Sequence, residues 1–412
     1  MFDFKPEFIS MLADLYGTPS YIFSEKKIKE QCQALKLAVN YPKTIFRYAC
    51  KAASIHALLQ IIKEEGYQID ASSYNEVLRA LRAGFSTDQI LYTGEGADEL
   101  EFSSMLAQGI RINCSSLNQI ELVARINRSA GISVRINPGE GHGHHDKVNT
   151  GGPHSKHGIY FNDLEEALKI SRSTGLKIIG IHTHIGSGTD LSHWLRIKDL
   201  TLELARQLPD LTTVDLGGGL PVVYNQEAEE AMPLIAWGAA LSESMSEFSK
   251  QLGKEITLEL EPGRFLVAES ASLIATVQGF KKTPEHEFVV VNSGFNHNPR
   301  PVLYGAFHPM KFITKNPTPG PKRKYVIAGN LCESGDVFTV DEDGRLTPRE
   351  FPELHIGDLM QMGIVGAYSY SMMSEYNSMN LPAAILVKED GTHKLIERRG
   401  NFDDLVRREV SI

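Results

Sequence analysis

Between Lys43 and Arg264 the chain alternates short apolar runs with longer segments whose apolar residues recur at helical spacing. The runs IFRYAC, YQIDAS, ILYTGE, RINCSS, ISVRINP, IIGIHTHIG, TTVDLGGG and EITLELEPGR amount to about eight, the number a closed parallel barrel needs. Between them SIHALLQIIKEEG, YNEVLRALRAG, DLEEALKISRSTG and IKDLTLELARQL read as helices, several ending in Gly, a common helix stop. Strand followed by helix, repeated, predicts an α/β fold of (β/α)8 TIM type. After Arg264 the pattern changes. FVVVNSG, KYVIAGN, DVFTVDEDG, DLMQMGIVG, AAILVKEDG and HKLIERR read as strands separated by turns, with no long helical pattern among them. This predicts a β-rich second domain, sandwich- or barrel-like. SYIFSE, near the start, precedes the barrel and is free to pair with that domain. The expected division is therefore residues 27–275 as the barrel, and 1–26 with 276–412 as the β-rich domain.

Composition narrows the function classes. A chain of 412 residues with 42% hydrophobic and 23% charged residues has ordinary globular character. Its formal net charge of −9 argues against a nucleic-acid partner, which needs clustered Lys and Arg, and favours a small molecule. The opening MFDFKPEFISMLADLYG has neither the basic flank nor the apolar core of a signal peptide, and no segment is apolar enough to span a bilayer. Cys32, Cys50, Cys114 and Cys332 lie far apart with no CxxC pair, as expected of a reducing compartment. These features predict a cytoplasmic protein.

In such barrels chemistry collects where strands run into the loops that follow them. Lys51 ends the first run and Asp70 the second, Arg135 lies in the fifth, and His182 and His184 end the sixth. Asp215 with Gly217, Gly218 and Gly219 ends the seventh, and Glu261-Pro262-Gly263-Arg264 the eighth. A lysine directed inward from an apolar run is paired, deprotonated or covalently used, since an unpaired buried charge is costly; the plain alternative is a side chain that snorkels to water. Three consecutive glycines let backbone N–H groups close on an anion such as a phosphate, although a simple tight turn has the same composition. Ser187 would add a hydroxyl. A phosphate site facing a lysine suggests pyridoxal 5′-phosphate, whose aldehyde condenses with an amine. Glu261 would face its pyridine nitrogen, and His184 its ring. Taken alone, either histidine reads more often as a satisfied core residue.

The motifs ACKA, NTGGPHSKHGI, HTHIGSG, DLGGGL, ELEPGR, GFNHNPRPVLYG, LCESGDVF and GAYSYSMMSEYN occur in that order along nearly the whole chain. With them the chain resembles the fold-type III pyridoxal-dependent decarboxylases, built on the alanine racemase barrel, and within these the branch acting on meso-diaminopimelate. The resemblance implies carbon dioxide release at the D-configured centre, leaving L-lysine. It makes Lys51 the cofactor lysine, His184 the ring-stacking residue and Glu261 the partner of the pyridine nitrogen. Ser187, Gly218, Gly219, Arg264 and Tyr368 join them as phosphate or cofactor contacts, and Asp70, Arg135 and Gly263, from their places in or at the ends of the strands, are expected beside the cofactor as well. Arg300, Tyr304, Glu333 and Tyr376, with Arg264 and Tyr368, fall where substrate is held, and Cys332 where a proton donor sits. It further implies a homodimer whose Cys332 and Glu333 enter the neighbouring site, with Lys156 and Asp336 as an interface ion pair.

Charge agrees with that substrate. Its unreacting end carries a carboxylate, suited to Arg300 and Tyr304, and an ammonium, suited to Glu333. Asn292 stands where the family pattern has an aspartate, and SEYNSMNLP departs from it, so D-ornithine or D-lysine stays open as an alternative substrate. A racemase on this fold would favour arginine over Glu261 at the pyridine nitrogen. A small non-enzymatic barrel that binds the cofactor would leave the stretch from Arg300 to Tyr376 without a use. The histidines of GHGHHDK, His142, His144 and His145, have no carboxylate or cysteine frame around them. They read as a glycine-rich loop closing over the site, and no metal is expected.

Overall fold

The computed structural model describes residues 4–140, 151–184, 186, 188, 190–314 and 320–411. It divides into two compact units, one of Lys29–Val222 with Glu230–Leu266 and one of Met1–Ile28, Val223–Glu229 and Val267–Ile412.

The first unit contains the expected barrel. Its eight strands are Thr44–Ala49, Gln68–Ala71, Ile90–Tyr92, Arg111–Cys114, Gly131–Asn137, Lys177–Thr183, Thr213–Asp215 and Thr257–Leu260. Each pairs in parallel with its neighbours, and the last closes on the first through Leu258 opposite Thr44. The intervening helices carry local signals. Ser73 caps Tyr74–Arg82 by accepting from the Glu76 N–H at 3.2 Å, while the Glu76 carboxylate accepts from the Ser72 N–H at 2.7 Å. Gly175 and Gly253 end their helices in the left-handed conformation that favours glycine.

One layer of the barrel interior is ionic. Glu259, fully buried on the last strand, accepts from Arg47 Nη2 of the first strand at 2.8 Å and from Arg111 Nη2 of the fourth. Burial alone would push the Glu259 carboxyl up, but the two guanidinium groups hold it below its ordinary value. Replacing Glu259 by Gln removes the anion these arginines share and should cost about 3 to 5 kcal/mol, read as a lower urea midpoint. A depressed carboxyl stabilises fully above its unfolded pKa, and the contribution drains as pH falls through the lower folded value. The gap between wild type and variant should therefore narrow on acidification, and a pH-independent gap would assign the loss to packing.

The second unit holds a nine-stranded mixed sheet. The order is Arg349–Phe351, Arg323–Ala328, Glu287–Val291, Ala271–Lys282, Ser20–Ser24, Ala383–Val387 and His393–Glu397. Leu359–Gly363 pairs with Ala271–Lys282 and with Met310–Ile313. Ser20–Ser24 is buried along its whole length, antiparallel to Ala271–Lys282 and parallel to Ala383–Val387. Beneath the sheet Ile9, Leu12, Ile22, Ile274 and Ile385 form a fully buried cluster.

Two elements differ from expectation. DVFTVDEDG is no strand and makes only isolated bridges, Ala328 with Val337 and Val340 with Leu346. Its Asp336 is buried, and the two carboxylate oxygens accept the backbone N–H groups of Phe295 at 2.7 Å and Leu331 at 2.8 Å. Lys156, expected to pair with Asp336 across a subunit interface, is exposed. The twelve-residue strand Ala271–Lys282 is not singled out by the apolar pattern, although it is the most connected strand of its sheet. Asn292, the departure from the family pattern, serves this sheet. Its carbonyl oxygen accepts from the Thr276 N–H at 2.7 Å and its amide donates to Thr18 Oγ1 at 2.9 Å.

Candidate active site

Lys51 lies in the single turn Cys50–Ala52 that follows the first barrel strand. Cys50 is buried, whereas Lys51 is exposed, contrary to the inward burial expected from the apolar run. The turn itself stays packed, with Cys50, Ala52 and Ala53 fully buried, and the lysine is its open side chain. Its ammonium nevertheless acts electrostatically on Asp70, His184 and Glu261. Lysine, acid and histidine therefore share one field at the carboxyl ends of the strands.

A hydrogen-bonded chain of neutral groups runs from Asp70 to His182, which stands beside Glu261. The Thr93 hydroxyl bonds Asp70, so its oxygen accepts from Asn113 Nδ2 at 3.2 Å. The same Nδ2 donates to His182 Nδ1 at 2.6 Å. With Nδ1 accepting, the His182 proton sits on Nε2, which lies 3.2 Å from Glu261 Oε2. All five residues are buried. Burial lowers the His182 pKa to about 4, so the ring is neutral. Burial, reinforced by Asp70, raises that of Glu261 to about 8.

Asp215 is likewise raised by burial and by Glu261, so the pair does not carry two charges at neutral pH. Its Oδ1 accepts the Gly217 N–H at 2.7 Å. Gly218 donates its N–H to His184 Nδ1 at 3.0 Å, and desolvation holds His184 neutral, far below its ordinary pKa. Two N–H groups of the glycine turn are thus engaged within the chain. What the turn requires of glycine is space, since a Cβ on Gly218 would stand 2.0 Å from the Glu261 carbonyl oxygen. Gly217, at φ +67°, would also bring a Cβ within 2.7 Å of the Thr183 carbonyl oxygen.

Arg135 is buried, with Nη1 3.9 Å from Glu95 Oε1. Glu95 also accepts from Ser115 Oγ at 3.1 Å and bonds His157 Nδ1 at 2.8 Å. Burial would raise the Glu95 carboxyl, but these partners hold it below its ordinary value. His157, from the SKHG motif, thereby fastens its loop to the barrel.

Gly263 is buried and Arg264 half-buried at the start of the short helix Arg264–Val267. Ser187 and the three histidines of GHGHHDK lie outside the described residues. The remaining expected residues belong to the β-rich unit. Arg300 is buried at the start of the helix Arg300–Tyr304, and Tyr368 is half-buried with φ at +59°. Cys332, Glu333 and Tyr376 are exposed. The Tyr376 hydroxyl donates to Glu333 Oε2 at 3.2 Å and Asn377 Oδ1 accepts the Cys332 N–H at 2.8 Å, so the two motifs form one cluster. Sequence reasoning missed Asn113, Thr93 and His182 as a linked set. Their signal was a polar side chain at an inward position of each of three barrel strands or strand ends.

The residues present fit pyridoxal phosphate. Glu261 Oε1, Asp70 Oδ1 and His182 Nε2 are buried without a hydrogen-bond partner, an excess of polar capacity that a polar ring would use. His182, His184 and Glu261 also place one donor atom each within 4.8 Å of one another.

Comparison with known proteins supplies independent findings. The family model for the pyridoxal-dependent decarboxylase, pyridoxal binding domain, matches residues 25–268. The chain is 35% identical to diaminopimelate decarboxylase of Escherichia coli (strain K12) over 99% of this chain and 97% of that one. A crystal structure of a diaminopimelate decarboxylase superposes with a TM-score of 0.92 at 34% identity, covering 98% of this chain and 96% of that one. The Helicobacter pylori enzyme complexed with L-lysine does so at 0.87 and 30% identity, covering 97% and 98%.

Proposed function

The chain belongs to the diaminopimelate decarboxylases, within the pyridoxal-dependent decarboxylases, and from that membership we propose the roles of its residues in converting meso-diaminopimelate to L-lysine and carbon dioxide. The observation that carries the reading is the buried, proton-holding Glu261 beside neutral His182 at the strand ends that also bear Lys51 and the glycine turn.

Pyridoxal phosphate, when bound, supplies an electron sink for the pair left by the departing carboxylate. Lys51 offers the only side-chain amine acting on this cluster of acids and histidines among the described residues, and holds the cofactor covalently. Glu261 keeps a proton at the ring nitrogen, with neutral His182 beside it, Nε2 standing 3.2 Å from Oε2. His184, neutral and fixed through Nδ1, presents a flat face for stacking. Gly219, Gly263, Arg264, Ser187 and Tyr368 hold the phosphate, Gly218 lets the turn close beside them and fixes His184 through its N–H, and Asp70 and Arg135 set the charge around the ring. Arg300 and Tyr304 take the distal carboxylate of the substrate, and Glu333 with Tyr376 its ammonium. Cys332 delivers the proton that replaces the lost carboxylate.

Borohydride reduction of the yellow holoenzyme followed by peptide mapping should place the pyridoxyl group on Lys51; finding it on Lys43 or Lys156 would overturn this assignment. Offering meso-diaminopimelate, D-ornithine, D-lysine and L-lysine in parallel tests the substrate, with lysine formed from the first as the expected product.

Exposure of the Cys332, Glu333 and Tyr376 cluster supports a homodimer in which it serves the neighbouring subunit's site. Mixing inactive Lys51→Ala and Glu333→Ala proteins under subunit exchange should then restore activity, at one intact site per heterodimer. Sites formed within single chains would show no recovery. The free thiols of all four cysteines support a cytoplasmic location.

A further inference from the structure

Arg300 is 2% exposed, and what surrounds it is as specific as the residue itself. Its Cζ lies 4.7 Å from the centre of the Tyr224 ring. Its Nη1 is 3.2 Å from His308 Nε2. His308, fully buried, has Nδ1 3.1 Å from the Gly363 carbonyl oxygen, an atom that only accepts. The His308 proton therefore sits on Nδ1, and Nε2 presents a lone pair to the guanidinium. The backbone oxygen of His308 accepts from Arg349 Nη1 at 2.6 Å, and its ring stands edge-on to Tyr224, 5.4 Å away at 82°. The histidine is thus held by two hydrogen bonds besides the one to Arg300, and it braces the tyrosine.

We propose that Tyr224 and His308 are positioning residues that fix the plane and direction of the Arg300 guanidinium, and that discrimination in favour of a substrate with a distal carboxylate depends on them. The inference rests on the reading that Arg300 meets that carboxylate. An aromatic face holds a guanidinium flat without consuming an N–H, which suits a group whose N–H donors are to meet a carboxylate. The neutral imidazole takes one N–H from a direction its own tautomer dictates. Tyr224 reaches this cluster from the stretch Val223–Glu229, which follows the glycine turn in sequence yet belongs to the β-rich unit.

The test uses holoenzyme and two ligands, meso-diaminopimelate by its KM and kcat, and D-lysine, which lacks the distal carboxylate, by its inhibition constant. Tyr224→Leu should raise KM for meso-diaminopimelate about 10- to 30-fold, the range expected from losing a desolvated cation–π contact. Its kcat and the inhibition constant of D-lysine should stay near wild type. Tyr224→Phe, which keeps the ring, should restore KM. The proposal is overturned if Leu weakens both ligands equally, changes neither, or is matched by Phe. Should Tyr224→Leu not fold, Tyr224→Met is read by the same criteria. Arg300→Ala, run in parallel, separates the two levels. If it affects both ligands alike, the reading of Arg300 itself falls; if it is selective while Tyr224→Leu is not, only the present inference falls.

Discussion

Glu261→Gln should lower the turnover number by about 10²- to 10³-fold, as removal of one preorganised electrostatic group does in other active sites, while the protein still folds and binds pyridoxal phosphate. An amide cannot keep a proton on the pyridine nitrogen, and a ring that loses it accepts the electron pair of decarboxylation less readily. A second, independent outcome comes from the raised pKa. Glu261 titrates near 8 in the folded chain against an ordinary value of about 4.5. Between those limits the folded chain holds a proton that the unfolded chain has released, so stability falls as pH rises through the window. The cofactor-free variant should lack this slope and be the more stable protein above neutral pH. Urea titrations at pH 5.5 and 8 check it. A variant that is slower but has the wild-type pH slope would move the raised pKa elsewhere, to Asp215 first. An unchanged turnover number would falsify the role of Glu261.

Arg300→Ala should cost roughly 2 to 5 kcal/mol of specificity on meso-diaminopimelate, because it deletes a charge-assisted contact and leaves the distal carboxylate desolvated and unpaired. That is roughly 30- to several-thousand-fold in kcat/KM, at about 1.4 kcal/mol per factor of ten. D-lysine should lose far less. The quantity that decides is the ratio of the two losses, because a general defect in folding or cofactor binding affects both ligands equally and leaves the ratio at one. Arg300 is 2% exposed, so some loss of stability will accompany the change. The ratio is insensitive to it.

The barrel was legible because each of its strands is a short apolar run, several of them ended by a residue with chemistry, and the helices between them repeat at 3.6 residues. Lys51, Asp70, His184, Asp215 and Glu261 could be placed at strand ends for the same reason. Burial of Lys51 could not. The apolar run predicts packing through Cys50, but in the tight turn that follows the burial of Cys50 and Ala52 does not extend to the side chain between them. DVFTVDEDG has β-branched and aromatic residues like a strand, yet Asp336 directs its carboxylate to the N–H groups of Phe295 and Leu331, a long-range arrangement with no periodic trace. The cradle of Arg300 was hidden for the same reason, because Tyr224 and Arg300 are brought together only by the fold. The Asn113 to His182 bond spans 69 positions and joins two strands that are not neighbours in the barrel.

The strand Ser20–Ser24, buried throughout between Ala271–Lys282 and Ala383–Val387, sets a schedule for the ribosome. Of its two partners, Ala271–Lys282 arrives only past residue 270, and Ala383–Val387 is the last strand of the sheet but one to be synthesised. At about 5 to 20 residues per second, roughly 20 to 70 s of translation separate the emergence of Ser24 from that of Val387. The intervening barrel residues can close first, since every barrel strand precedes residue 261. Until residue 282 has emerged SYIFS is an unpaired strand on a nascent chain, the kind of segment that holdase chaperones bind, and from then until Val387 one of its two edges stays open. A message with slow codons between positions 270 and 383 would lengthen the exposure without altering a single amino acid, and its expected result is a lower soluble yield of a protein with unchanged specific activity.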